Sequence, residues 1–222
     1  MAAATAEPWL RGRRLALTEF TPGDAEALIA MHRDTRIRTH LIDDYALDDP
    51  AVAATFLERI GPFYRRHEGL GIWRADLVAG DTQRFAGWFN LMPIMHRPGE
   101  IELGSRLLPF TWGTGLAQEG GGLLLDHAFD RLGATRVWGI CDPGNRSAQA
   151  ALVALGFSQV SVEPYDGVIA EHWEIKVNDW RAVRDLSPTR RIRRALRRMR
   201  IDEEIVPCAA RTAASAVSAT TD

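Results

Sequence analysis

The chain has 222 residues, of which 46% are apolar and 25% are charged, and its formal net charge is −2. This composition is ordinary for a globular protein, and the length suits one sizeable domain or one domain with a tail. The two cysteines, Cys141 and Cys208, are too few for a disulfide framework, and no apolar run approaches the roughly 18–20 residues of a membrane span. The beginning of the chain lacks an apolar signal core, so we expect a cytoplasmic protein with no membrane span.

The spacing of apolar residues predicts alternating strands and helices within one domain. In chain order these are a strand at 15–20, helices at 21–34 and 48–69, strands at 70–77, 84–95 and 99–108, a helix at 116–132, a strand at 135–141, a helix at 145–157, and strands at 157–165 and 171–180. We expect Gly61-Pro62 to disturb the second helix, because proline removes a backbone donor. This mixture favours an α/β or α+β sandwich.

Charge is distributed unevenly along the chain. Residues 181–200 carry nine arginines and one aspartate, a net of +8, which leaves −10 for the remainder. Apolar residues at i, i+4 and i+7 within 190–200 predict a basic amphipathic helix. Small polar residues dominate 208–222, where we expect disorder. We therefore predict one domain over 1–180, followed by a basic helix and a disordered tail over 181–222.

Two glycines, Gly113 and Gly115, stand directly before the predicted helix at 116–132. The first four amides of a helix have no partner inside it, and they carry the positive end of the helix dipole. Glycine leaves room for a phosphate to approach such amides, so the turn is typical of an anion site. A tight turn that needs glycine only for its shape is the alternative. A P-loop and a dinucleotide fingerprint are both excluded, because Gly-Lys-Ser/Thr and a third glycine are missing.

Two segments together indicate a family. WGTGLAQE, at 112–119, is followed about 30 residues later by DPGNRSAQAALVALGF, at 142–157. This pair resembles the Gcn5-related N-acetyltransferases (GNAT) and looks closest to the branch of ribosomal-protein N-terminal acetyltransferases. The family pattern is Gln/Arg-x-x-Gly-x-Gly/Ala, and Trp112 stands in its first place here. The resemblance spans about residues 10–180 and implies a GNAT fold, with a central, mixed, mostly antiparallel sheet flanked by helices.

The resemblance implies acetyl-CoA as co-substrate, and it assigns residues to that molecule. Its pyrophosphate would bind the backbone amides of Trp112, Gly113, Thr114, Gly115, Leu116 and Ala117. Its pantetheine arm would pair with the strand near Leu107 and Leu108, which would splay from its neighbour. Asn145 of DPGN would hydrogen-bond the cofactor or a water, although a helix N-cap role explains this residue equally well. The six histidines show no metal-ligand spacing, so we expect no metal.

The implied reaction is direct attack of a primary amine on the acetyl group, with a protein N-terminus or a small-molecule amine as acceptor. The amine must be neutral, so a base is needed. We predict Glu102 as this base, because family members often carry an acid there; Glu100, on the same strand face, is the spare candidate. Alternatively, Glu100 and Glu102 are exposed strand carboxylates without a catalytic role. The candidates for protonating the leaving thiolate are Ser147, which lies one position before the family's serine, and Tyr165.

Other functions remain open from the sequence. A non-catalytic acyl-CoA-binding or regulatory module would keep the same fold. Arginines at 190–200 would suit contact with a ribosome or RNA, although a solvated helix docked on the acidic body is the simpler interpretation. We expect Trp73, Trp88, Phe89 and Met92 to form core more often than an acceptor pocket, and Cys141 to be a small core residue. The chain would be a monomer or a homodimer.

Overall fold

The computed structural model describes residues 7–42 and 45–205. The elements are, in chain order, β1 (Leu10–Arg11), β2 (Leu15–Glu19), α1 (Ala25–Arg33), α2 (Thr35–Arg38), α3 (Pro50–Arg66), β3 (Gly71–Ala79), β4 (Thr82–Pro93), β5 (Ile101–Leu107), α4 (Leu116–Asp130), β6 (Arg136–Cys141), α5 (Arg146–Leu155), β7 (Ser158–Tyr165), β8 (Val168–Lys176), α6 (Val177–Val183) and α7 (Pro188–Ile205). The predicted elements are present, and β1, α2 and α6 are additional; β1 and α2 are too short for apolar periodicity to reveal.

All eight strands belong to one sheet, in the order β1-β2-β3-β4-β5-β6-β8-β7. Every neighbouring pair is antiparallel except β5 and β6, which are parallel. A parallel pair needs a crossover connection, and α4 lies within it. Helices α1 and α3 pack on each other and on β3 and β4, while α4 and α5 pack on each other and on the sheet. The predicted central, mixed, mostly antiparallel sheet flanked by helices is confirmed.

Small residues bring α4 close to the sheet. A Cβ added to Gly120 would overlap the ring of Phe89 on β4, and one added to Gly121 would lie 2.7 Å from Leu155 Cδ1 on α5. One turn later, Leu124 and Leu125 are fully buried. The glycines therefore reduce helix propensity but allow the close packing that determines where the first turn of α4 lies.

Helix α3 corrects one expectation, because it runs through Pro62 without a break. Its apolar anchors, Leu57, Ile60 and Tyr64, are buried, whereas Pro62 lies on the exposed face. The carbonyl that loses its partner belongs to exposed Glu58, where water can bind it. Asp49 caps the helix start by accepting hydrogen bonds from Ala51 N and Val52 N. Packing of the buried face therefore outweighs the proline.

The last predicted strand ends earlier than expected. Strand β8 stops at Lys176 and α6 follows, which places Trp180 in the core at 1% exposure, with its indole donating to Asp126 at 2.8 Å. Helix α7 packs against α5, and Arg191 lies over the Trp180 ring at 4.9 Å. The disorder predicted for 208–222 falls within residues 206–222, which lie outside the described residues. Within the described ranges, no helix is long and apolar enough to cross a membrane.

Candidate active site

Strands β5 and β6 separate beyond their first contact. Among the described residues, Glu102 and Trp138 form the one main-chain pair between them. From that point β5 continues to Leu107 beside β4 alone, and β6 continues to Cys141 beside β8. The strand that precedes the glycine turn therefore splays from its neighbour, and a cleft of about 510 Å³ occupies the gap.

The cleft wall combines β5, the start of α4, one face of α5 and the segment after α2. The predicted site residues that line it are Glu102, Leu107, Trp112, Ala117, Asn145 and Ser147. The predicted site residues that lie outside this lining are Leu108, Gly113, Thr114, Gly115, Leu116 and Tyr165. The amide of Leu108 pairs with the Ala86 carbonyl at 2.9 Å, and the Leu116 side chain is core, at 1% exposure.

The glycine turn leaves several amides without a protein acceptor. Gly113 and Gly115 have φ of 74° and 80°, a conformation that strongly favours glycine, and no side chain caps α4. Two of the predicted amides are used internally, since Trp112 N donates to Pro109 O at 3.1 Å and Thr114 N to Thr111 O at 3.2 Å. Within the described chain no oxygen accepts from the amides of Gly113, Gly115, Leu116 or Ala117. These four amides form the candidate anion site.

The start of α5 is capped by Asn145, whose Oδ1 accepts from Ala148 N at 3.0 Å. This bond is the N-cap role that the sequence left open as an alternative. Asn145 also lines the cleft, together with Ser147, which is exposed at the second position of the helix. Both residues therefore stand where a ligand in the gap between β5 and β6 would pass.

Tyr165, at the end of β7, contacts Glu102 of β5 from outside the cleft lining. The Tyr165 hydroxyl donates to Glu102 Oε2 at 3.2 Å. Burial raises the pKa of Tyr165, and the neighbouring Glu102 charge raises it further, so the phenol keeps its proton at neutral pH. The buried His172 ring packs edge-on against Tyr165, with ring centroids 5.8 Å apart. Tyr165 thus remains protonated and holds the Glu102 carboxylate in position through a hydrogen bond.

The Glu100 carboxylate is bonded to two residues of β6. Its Oε1 lies 2.6 Å from Arg136 Nη2, and its Oε2 accepts from the Trp138 indole at 2.6 Å. The hydrogen bond from Arg136 is the main reason that the pKa of Glu100 lies below its ordinary value. Glu100 is also absent from the cleft lining. An ion-paired carboxylate with a lowered pKa is a poor base, so the spare candidate does not compete with Glu102.

Two polar pairs, each with one member in the cleft lining, were missed by sequence reasoning. His40, which follows α2 and lines the cleft, lies 2.6 Å through Nδ1 from Asp142 Oδ2, which follows β6. Asp142 also accepts from Gly144 N, and this bond with the His40 contact lowers the pKa of Asp142. On the other wall, Arg106 Nη1 lies 2.6 Å from His32 Nε2. The two residues of the His40–Asp142 pair are 102 positions apart, and those of the Arg106–His32 pair are 74 apart, so no local sequence pattern indicates either pair.

Cys141 lies at the end of β6 and is buried, with 6% exposure. Burial raises the pKa of its thiol to about 12, which makes it a poor nucleophile at neutral pH. The aromatic residues of the β3–β4 hairpin are mostly core, as expected: Trp73, Trp88 and Phe89 are buried. Trp88 and Phe89 nonetheless contribute to the cleft wall.

Comparisons with known proteins agree with this geometry. The family model described as an acetyltransferase (GNAT) domain matches residues 14–158. The uncharacterized N-acetyltransferase YoaA of Bacillus subtilis is 23% identical over 158 residues, which cover 70% of this chain and 85% of that protein. Similar solved structures include the ribosomal-protein-S5-alanine acetyltransferase of Vibrio fischeri, with 15% identity, a TM-score of 0.62, and coverage of 77% of this chain and 97% of that chain.

Another similar structure is the microcin C7 self-immunity acetyltransferase MccE, solved in complex with acetyl-CoA and AMP. It is 17% identical, with a TM-score of 0.62, and the match covers 74% of this chain and 93% of that chain. At these identities the structural likeness concerns the fold alone, whereas the family model matches well over half of the chain. The chain therefore belongs to the GNAT acetyltransferase family.

Proposed function

We propose that this protein transfers an acetyl group from acetyl-CoA to a primary amine by direct attack. The observation that carries this proposal is one continuous cleft that begins beside the unpaired amides of α4 and reaches Glu102 at the point where β5 and β6 meet. Acetyl-CoA supplies the activated thioester. The chain's own residues supply anion binding, an open strand edge and a carboxylate.

The glycine turn fits a diphosphate. A Cβ on Gly113 would meet no atom within 4 Å, and one on Gly115 would meet only the ends of two flexible side chains at 3.8 Å. The amides are therefore accessible, and the helix dipole adds about 0.3–1 kcal/mol for a nearby anion. We assign the pyrophosphate to Gly113, Gly115, Leu116 and Ala117. Trp112 and Thr114, whose amides are bonded within the turn, shape it instead.

The pantetheine arm fits the free edge of β5 near Leu107, with Asn145 on the facing wall. Leu108 does not belong to that edge, because its amide is bonded to the Ala86 carbonyl of β4. Glu102 is the proposed base, because it lines the cleft where the strands meet and is held by the protonated Tyr165. Ser147 is the proposed proton donor to the thiolate, since it lies exposed beside Asn145, whereas the Tyr165 hydroxyl is directed to Glu102. The reaction then needs one proton removed from the amine and one supplied to the leaving thiolate, on either side of the same carbonyl carbon.

The acceptor is proposed to be an α-amine, at a protein N-terminus or in a small molecule. Neutralising an α-amine at pH 7 costs about 1 kcal/mol, whereas a lysine side chain costs about 4.6 kcal/mol. A single carboxylate, such as Glu102, suffices for the first. One structural neighbour is named for a ribosomal-protein alanine as its acceptor, and another is named for self-immunity to microcin C7.

The test is an acceptor screen with labelled acetyl-CoA, using N-terminal peptides and small amines. We expect Glu102→Gln to lower kcat about 100-fold or more, while the Kd for CoA is unchanged. Glu100→Gln, on the same strand face, is the matched control and should keep kcat. Turnover by Glu102→Gln equal to that of the wild type would contradict the assignment of the base. CoA binding without turnover of any amine would favour a non-catalytic acyl-CoA-binding module.

A second role is proposed for α7, because several of its arginines are exposed and form no ion pair with the described residues. These are Arg190, Arg193, Arg194 and Arg197. Their proposed partner is the phosphate backbone of RNA, as on a ribosome. Replacing all four by glutamine should abolish cosedimentation with ribosomes and leave acetyl transfer to free amines unchanged. Binding that does not weaken steeply with salt would contradict it.

A further inference from the structure

We infer that Arg14 is a phosphate-binding residue of the anion site and that Glu119 positions it. This inference rests on the proposed binding of acetyl-CoA. Arg14 stands before β2, about a hundred residues from the glycine turn, and neither the family pattern nor the cleft lining includes it. Its contacts nevertheless place its guanidinium beside the unpaired amides of α4.

Three contacts fix Arg14 against the start of α4. Its backbone N donates to Glu119 Oε1 at 2.6 Å, and its Nε donates to Glu119 Oε2 at 2.8 Å. Its Nη1 donates to the carbonyl of Thr114, within the glycine turn, at 3.0 Å. Gly12 permits this approach, because a Cβ there would lie 2.7 Å from Glu119 Oε1. Both carboxylate oxygens of Glu119 thus accept hydrogen bonds that join the turn between β1 and β2 to the first turn of α4.

One nitrogen of the guanidinium has no acceptor among the described residues. This atom, Nη2, lies 3.8 Å from the position that a Cβ on Gly115 would occupy. The Arg14 side chain is 33% exposed, so solvent and ligands reach it. The amide of Gly115 is one of the four assigned to the anion, so Nη2 lies next to the same space. Arginine is suited to this place because its planar guanidinium can hold two acceptors and still direct a donor to a phosphate.

Trp112 explains why a separate cation is useful here. The family pattern has Gln or Arg in the first place of the turn, where this chain has tryptophan. The Trp112 indole donates to the Leu107 carbonyl at 2.8 Å, so it closes the turn and brings no charge. Arg14 supplies a positive charge from a different part of the sequence. Glu119 offsets part of that charge but fixes the direction of the guanidinium.

The experiment measures Kd by calorimetry for two ligands, CoA and pantetheine, which lacks the phosphates. We expect Arg14→Gln to weaken CoA binding about 10- to 100-fold and to leave pantetheine binding within about twofold, since a charge-assisted contact contributes about 1.5–3 kcal/mol, at 1.4 kcal/mol per tenfold. Arg13→Gln removes the same charge one residue away, at an exposed position, and should bind CoA like the wild type. Arg14→Lys, which keeps the charge and serves if Arg14→Gln does not fold, should weaken CoA to a smaller extent.

Glu119→Gln separates positioning from simple electrostatics. Removing a negative charge near the site would strengthen CoA binding if Glu119 acted only through its charge, whereas loss of positioning weakens it. We expect it to weaken. Tighter binding by Glu119→Gln, unchanged CoA binding by Arg14→Gln, or equal loss for CoA and pantetheine would each overturn the inference. A wild-type protein that binds no CoA would instead overturn the proposed function.

Discussion

Replacing Gly115 by alanine tests the anion site with a well-matched control. Gly115 immediately precedes α4 with φ of 80°, and Gly133, in the exposed loop between α4 and β6, has φ of 68°. An added Cβ meets nothing within 4 Å at Gly133 and no atom nearer than 3.8 Å at Gly115. Neither alanine therefore clashes, and both share the same backbone penalty. Only the methyl at Gly115 lies beside the amides assigned to the pyrophosphate.

The two variants should match in stability and differ in binding. An alanine in the left-handed region costs about 1–2 kcal/mol. For a protein of this size, that penalty lowers Tm by about 2–8 °C in both variants. Blocking the amides removes an interaction of about 0.3–2 kcal/mol with the anion. The Kd for CoA should therefore rise about 2- to 30-fold in Gly115→Ala and stay unchanged in Gly133→Ala.

Thermal unfolding and calorimetric titration with CoA provide the two measurements. Equal CoA affinity in Gly115→Ala and Gly133→Ala would refute the reasoning, because the glycine would then serve only the shape of the turn. A loss of affinity in both variants would also refute it, since the effect would then follow stability rather than position. The same titration with pantetheine should show no difference between the two variants.

Three further predictions concern single residues away from the turn. Arg136 lowers the pKa of Glu100, so the stabilisation by that carboxylate is full above its ordinary pKa of 4.5 and is lost as pH falls through the lowered pKa. Glu100→Gln should therefore reduce Tm at pH 6 and reduce it less at pH 3. An equal reduction at both pH values would contradict the ion pair. Cys141→Ala should keep acetyl transfer within about twofold, and mass spectrometry should find no acetylated Cys141, since a thiol with a pKa of about 12 does not attack at neutral pH. Pro62→Ala should raise the free energy of unfolding by about 1–3 kcal/mol in denaturant titrations, with exposed Thr55→Ala as control, and a decrease would mean that proline is the better residue there.

Features that depend on neighbouring residues were predictable from the sequence. The glycine turn before α4 and the Asn145 cap are local, because each is made by groups a few positions apart. The central, mixed, mostly antiparallel sheet was predicted from the family resemblance rather than from periodicity. The sequence also predicted a strand face shared by Glu100 and Glu102. In the structure β5 begins at Ile101, and alternation alone could not distinguish the two carboxylates.

Features that depend on distant partners were not predictable. Arg136 and Trp138 engage Glu100 because β6 lies parallel to β5 in one particular register. The His40–Asp142 pair joins residues 102 positions apart, and the Arg14–Glu119 pair joins residues 105 apart. Composition and spacing carry no information on such pairs, which arise only when the chain has folded. The end of β8 was misjudged for a related reason, since Trp180 reaches the core only from a helix.

The single contact between Glu102 and Trp138 has a mechanical consequence. Main-chain hydrogen bonds join β1 to β5 as one plate and β6 to β8 as another, but between the plates the described residues provide only this pair. Rocking of one plate against the other is therefore resisted mainly by side chains, both by the packing of α4 and α5 and by the bonds from Arg136 to Glu100 and from Tyr165 to Glu102. An extended molecule wedged between the plates would stiffen both, and amide exchange along β5 and β6 would then slow in concert.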